Sequence, residues 1–210
     1  MKRDNIWVFI SLAMIAVFNM AVAEANPGFQ GVELQETQKS ESGQAKMNLG
    51  FFGVGGRLGF VDPEGDIEST ISFGFHADMG TITPTLGLEG NIDYWSKSQD
   101  RKRGGYEYEW KNRDLSLGAT VKYRFPTQGS ISPYAGGGLG FHMVKEEKDY
   151  ERESPYEDRD ESGIHLGLHG VGGAEMLLSP NMRGGVEVRY TLNDPSNLGI
   201  FLGVMYLLKP

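Results

Sequence analysis

A chain of 210 residues with a formal net charge of −8 at pH 7, 23% charged residues and no cysteine is long enough for one domain and narrows its own class at once. The acidic balance disfavours nucleic acid as a partner. The lack of cysteine excludes structural disulfides, thiolate metal sites and a cysteine-linked lipid anchor.

Lys2 and Arg3 precede an apolar run from Ile6 to Phe18 and the small-residue site Ala21-Val22-Ala23. That order predicts a cleaved secretory signal over residues 1–23. The run falls short of the ~20 residues of a spanning helix, and Asn19 interrupts it. Residues 24–46 are polar and without usable period, which predicts a flexible lead-in. The domain proper is expected over 47–210.

From Met47 onward the period is two, that of a strand with unlike faces. The first strand, 47–61, sets Phe52, Val54, Leu58 and Phe60 against Arg57 among glycines, and Asp62-Pro63-Glu64-Gly65 turns it. The second, 69–79, alternates Ile71, Phe73, Phe75, Ala77 and Met79 with Ser72, His76 and Asp78, and a short turn through Gly80 follows. The third, 84–95, opposes Leu86, Leu88, Ile92 and Tyr94 to Glu89, Asn91 and Asp93. The fourth, 115–125, sets Leu117, Val121, Tyr123 and Phe125 against Lys122 and Arg124. The glycine-rich fifth, 133–144, has Leu139, Phe141 and Met143 opposite Tyr134 and His142. The sixth, 163–176, places Ile164, Leu166, Leu168 and Met176 opposite His165, His169 and Glu175. A tight link, 178–181, leads to the seventh, 182–192, where Gly184, Val186, Val188 and Tyr190 oppose Arg183, Glu187 and Arg189. Asn193-Asp194-Pro195-Ser196 turns the chain into the eighth, 198–208, with Leu198, Ile200, Leu202, Val204, Tyr206 and Leu208 on one face.

None of the apolar-face positions carries Asp, Glu, Lys or Arg, although 23% of the chain does. A charge facing mid-bilayer lipid costs roughly 2–4 kcal/mol for Arg or Lys, so a bilayer enforces that vacancy. The expected fold is therefore all-β: an eight-stranded antiparallel up-and-down transmembrane barrel, greasy outside and polar inside. Phe60, Tyr94 and Tyr190 fall near one rim and Tyr123, Phe125 and Tyr206 near the other, as two interfacial girdles would.

The inward positions hold Arg57, Lys122, Arg124, Arg183 and Arg189 against Asp78, Glu89, Asp93, Glu175 and Glu187. Eight strands enclose a space that side chains fill, so these groups are expected to pair rather than to line a channel. The tight link at 178–181 predicts that Glu175 and Arg183 sit opposite each other and touch.

No catalytic, cofactor or metal site is expected. All four histidines, His76, His142, His165 and His169, fall on the lumen face, and His165 and His169 stand about 13 Å apart at ~3.3 Å per residue, too far for one ion. Ser72, His76 and Asp78 share one face of one strand, which is the default lining of a polar lumen, and the lipid face offers no base to a lipid substrate. Ala135 to Gly140 matches neither the dinucleotide nor the P-loop spacing.

Two long polar segments remain. Residues 96–113 have a net charge of +3 with Tyr106, Tyr108 and Trp110 interleaved, and residues 145–161 have a net charge of −5. In an even-stranded barrel entered from the periplasm both are extracellular, so they are the expected seat of function, in contact with each other, with lipopolysaccharide or with an unknown surface partner.

Ser132-Pro133-Tyr134-Ala135-Gly136-Gly137-Gly138-Leu139-Gly140, Gly184-Gly185-Val186-Glu187-Val188-Arg189-Tyr190 and the alternating final strand together resemble the OmpA/OmpX-like superfamily of small outer-membrane β-barrels, over Met47 to Pro210. The resemblance implies residence in the bacterial outer membrane among lipid and lipopolysaccharide, insertion by the outer-membrane assembly machinery, and a structural or surface-interaction role. Members usually end on an aromatic residue; here the last is Tyr206, before Lys209-Pro210. The rival readings are a small pore, a lipid-modifying enzyme and a soluble lipocalin-like binder, the last of which would need an apolar lumen.

Overall fold

A computed structural model describes residues 47–104, 106–150, 157–193 and 195–208. The signal over 1–23, the lead-in over 24–46 and the Lys209-Pro210 terminus lie outside the described residues, as do Gly105, Asp194 and residues 151–156. The strands are β1 (Asn48–Pro63), β2 (Thr70–Thr83), β3 (Leu86–Arg103), β4 (Tyr106–Arg124), β5 (Ile131–Tyr150), β6 (Arg159–Ser179), β7 (Met182–Leu192) and β8 (Asn197–Leu207). Each pairs antiparallel with the next and β8 pairs with β1, so the sheet closes into a barrel with no free edge through its wall.

The ring is strongly staggered. Following paired residues from Arg57 through Gly203 and Gly185 arrives at Glu175 on β6. Going the other way, through Gly74, Asp93, Ser116 and His142, arrives at His165, ten residues away on the same strand. Such stagger obliges the strands to tilt against the barrel axis. Eleven-residue β7 and β8, at ~3.3 Å per residue and a tilt near 40°, rise about 28 Å, close to the ~25 Å apolar band of an outer-membrane barrel.

The molecule is inside out compared with a soluble barrel. Ile164 is 73% exposed, Leu202 67% and Ile71 66%, whereas Arg57, Lys122, Glu187 and Arg189 are buried. A continuous apolar exterior of that extent has to meet lipid. The band has a sharp upper limit. Leu115, Met143 and Ile164 are neighbours on β4, β5 and β6, and one outward step further come Arg113, Lys145 and Ser162. Of the aromatic positions, Phe60, Tyr123, Phe125 and Tyr206 are exposed on the outer face, while Tyr94 packs beside Phe73 and the Tyr190 hydroxyl donates to Glu64.

Four local expectations need correction. Residues 96–113 and 145–161 are not loops over most of their length: β3 pairs with β4 up to Arg103↔Tyr106, and β5 with β6 up to Lys148↔Arg159. Gly80 is not a turn but a positive-φ residue within β2, at a register shift between Asp78 and Thr81, its N–H donating to Asp78 at 2.9 Å. A side chain there would run into the Asn48 carbonyl. A second shift, between Leu49 and Gly53, breaks the parity of β1, so Phe51 faces outward while Phe52 lines the mouth beside Asp78 and Gly80. Finally, Glu175 pairs with Gly185 rather than with Arg183, which pairs with Leu177. The link is a two-residue turn, 180–181, preceded by an irregularity at Leu177/Ser179, and this places Arg183 two pairs along from Glu175, although the two side chains still touch as expected, at 3.6 Å.

A closed, lipid-facing sheet resists detergent unless heated. The unboiled protein is expected to run at a different gel mobility from the boiled chain, and identical mobilities would exclude the closed barrel.

Candidate functional site

The lumen is packed by charge. Arg57 lies on β1, Asp93 on β3, Lys122 on β4, and Glu187 and Arg189 on β7; period-two alternation turns all of them inward, and the stagger of the ring brings them to one level. Glu187 is the hub: it accepts from Arg57 at 3.3 Å, Arg189 at 2.8 Å and the Tyr134 hydroxyl at 2.8 Å, and pairs with Lys122 at 2.9 Å. Arg57 also forks onto Asp93, which takes a further bond from Asn91. Lys122 bridges Glu187 to Glu89, both at 2.9 Å, and His76 approaches Glu89 at 3.4 Å. The Phe201 ring sits under Arg57 at 4.9 Å and Arg189 at 5.9 Å, and Tyr134 under Lys122 at 4.5 Å.

Nearer the short-turn end a second cluster forms. Arg124 bonds Glu175 at 2.7 Å, and Arg183 reaches Asp78 at 3.4 Å and Glu175 at 3.6 Å. Thus all ten charged lumen residues named from the sequence take part in ion pairs. The two internal gaps beside the network are small, about 40 and 30 Å³. This arrangement is a plug.

A third layer lies beyond what the sequence reading reaches. Asp114 accepts from His142 at 2.8 Å with both side chains buried, Thr120 bonds His169 at 2.8 Å, and Trp95 and Asn112 turn inward beside them. Asp114 and Asn112 fall outside the expected fourth strand because the charges on its opposite face begin at Arg113. The alternating pattern nevertheless continues through them, and that is the available signal. No group of three metal-ligating side chains occurs among the described residues.

Above the apolar band, β3 to β6 continue as a four-stranded sheet, being 18 to 21 residues long where β7 and β8 have 11. The extra length projects about 20 Å beyond the membrane. The face continuous with the lipid side is charged and self-paired: Ser98 donates to Glu109 at 2.6 Å, and Arg113 to Glu147 at 3.0 Å. A hydrogen bond from Lys145 holds the Glu147 carboxyl below its ordinary range.

The face continuous with the lumen is aromatic and cationic. Tyr108 stacks on Tyr150 with centroids 4.9 Å apart, and Arg101 lies 4.5 Å over the Trp110 ring, whose N–H donates to Glu146. The turn between β1 and β2 leans on this sheet through Lys97–Glu68 at 3.0 Å, Arg101–Asp66 and the Thr70 hydroxyl on the Ser96 carbonyl. A hydrogen bond from Lys97 lowers the Glu68 pKa from its ordinary 4.5, so this ion pair is whole above that value and is lost as pH falls through the depressed one.

Removing the hub of a buried network strands its partners. Glu187→Ala should destabilise the folded barrel by about 3–5 kcal/mol in urea titrations in lipid vesicles, against less than ~1 kcal/mol for the surface change Lys102→Ala. Equal effects would contradict the network's structural weight.

Comparison with known proteins agrees with this architecture. Among solved structures, OprG, an outer membrane protein from Pseudomonas aeruginosa, aligns with a TM-score of 0.56 and 16% identity over 78% of this chain and 98% of its own. The Neisserial surface protein A aligns with a TM-score of 0.52 and 19% identity over 75% and 97%. A major outer membrane protein from Thermus thermophilus aligns at 0.50 and 15% over 74% and 99%. At such identities the likeness concerns the fold. No curated protein matches by sequence. The family model for the outer membrane protein beta-barrel domain matches residues 10–206. With the lipid-facing parity, the closed ring of eight strands and the polar lumen, this places the chain in the outer membrane protein beta-barrel domain family, in the bacterial outer membrane.

Proposed function

We propose that this protein is a surface-interaction barrel, in which the sealed lumen is a structural core and the sheet projecting from β3 to β6 is the working part. The observation that carries this reading is the contrast between the two ends. The short-turn end has two-residue links such as 84–85 and 180–181, whereas the other end extends pairing by nearly a strand's length into water. Maintaining ordered sheet with a one-sided aromatic face has a use only if something docks there.

The pore reading is disfavoured by the ion-paired plug, which leaves gaps of only about 40 and 30 Å³. The enzyme reading is disfavoured because His76, His142 and His169 are held in the lumen, with His142 bound to Asp114 and His169 to Thr120, away from any lipid substrate. Arg113 and Lys145, outward at the membrane boundary, sit where lipopolysaccharide phosphates would meet them.

The test removes the projection and keeps the barrel. Replacing residues 97–112 and 146–161 by short turns should leave heat-modifiable mobility intact and abolish adhesion of protein-coated beads to host or neighbouring bacterial cells. Adhesion undiminished by the truncation would overturn the proposal. Planar bilayers containing the intact protein should show no steady single-channel conductance, and regular steps would favour the pore.

A further inference from the structure

Between the aromatic face of the projecting sheet and the β1–β2 turn lies a cleft of about 460 Å³, within the range of small-ligand sites. Trp110 forms one wall, the turn from Glu64 to Ile67 the other, and Asn112 and His165 also line it. Its hydrogen-bonding state is uneven in an informative way. The carboxylates around it are engaged: Glu64 by Tyr190, Asp66 by Arg101, Glu146 by Trp110 and Lys148, and Glu161 by Arg159.

What is left over in the lining itself is a neutral donor. Asn112 is only 4% exposed, lines the cleft, and its Nδ2 has no partner among the described residues. Outside the cleft's own lining, in the layer around His142, the Trp95 Nε1, the Asp114 Oδ1 and both side-chain polar atoms of Asn193 are likewise buried and unpartnered among the described residues. Elsewhere in the described lumen such atoms are few, namely His76 Nε2 and Glu89 Oε1. A buried donor without a partner is costly, so the Asn112 amide N–H facing an open cleft calls for a ligand that supplies an acceptor. A metal ion would leave that amide N–H unmet, and an anion would meet the carboxylate rim.

We infer that this cleft binds a neutral oligosaccharide, one of whose hydroxyl oxygens accepts from Asn112 while the chain of sugars lies between the Trp110 wall and the β1–β2 turn. This rests on the surface-interaction reading and names the chemical class of what the projecting sheet recognises. It also explains why the turn is clamped to the sheet by Lys97 and Arg101: the clamp forms the second wall.

Trp95 and Trp110 are the tryptophans of the described residues; Trp110 lines the cleft and Trp95 the neighbouring interior gap, so intrinsic fluorescence reports on this end of the barrel. Full-length protein in lipid nanodiscs is titrated with maltohexaose, cellohexaose, chitohexaose, mannohexaose and galactohexaose, and with dextran sulfate. At least one neutral hexasaccharide should give a saturable emission change, weakened tenfold or more by Asn112→Ala and by Trp110→Phe with gel mobility unaltered, and dextran sulfate should not compete. The inference is overturned by a flat response to all five sugars, by equal affinity in Asn112→Ala, or by effective competition from dextran sulfate. The two readings fail separately: adhesion lost on truncating the sheet but kept in Asn112→Ala removes only the sugar site, whereas adhesion surviving truncation removes the surface role itself.

Discussion

Hydrocarbon neither hydrates a charge nor bonds to a peptide group, and nearly every feature of this barrel follows from that. Peptide groups must find partners within the wall, so β8 returns to β1 and the ring has no edge. Charged side chains must avoid lipid, so the strand period of two sends each of them inward. Once there they have only one another, and the interior becomes a lattice of ion pairs centred on Glu187 rather than an apolar core. Such a lattice adds little stability over apolar packing, yet the loss of one member is severe. The lipid makes that tolerable because the outer face supplies the apolar contact that a soluble core would have provided.

Above the membrane the constraint on the outer face lifts while backbone pairing still rewards extension. The change falls between Leu115 and Arg113, and between Met143 and Lys145. The outer face turns charged and pairs with itself, and the inner face, no longer crowded by an opposite wall, takes Tyr108, Trp110 and Tyr150. The same alternation thus produces a plug inside the bilayer and a one-sided recognition surface outside it. The β1–β2 turn, tied down by Arg101 and Lys97, is where the two regimes meet.

Parity is legible in the sequence because it is local: the inward placement of Arg57, Glu187 and Arg189 needs only alternate residues. Their convergence is not, since it depends on the stagger that brings Asp93 of β3 to the side chains of β7 across the barrel. Strand ends are misjudged at Trp95, Leu115 and Val144, where charge on the outward face looks like loop although pairing continues on both sides of Asn112 and Asp114. The irregularities at Gly53 and Leu177 each displace one residue set, moving Phe52 into the mouth and Arg183 two pairs along from Glu175. Bulges of this kind arise from the fit between neighbouring strands, which no single strand's pattern contains.

The central claim is that apolar side chains face lipid while the small interior is sealed by polar ones, and it can be read on the unaltered protein. Methyl resonances are recorded in nanodiscs with and without a phospholipid carrying a nitroxide at mid-chain. Signals of Ile71, Val186, Ile200 and Leu202 should be strongly attenuated, and those of Val61, Val171 and Met205, buried on the lumen side, should persist. Attenuation of both sets alike, or of the second set more than the first, would contradict the account.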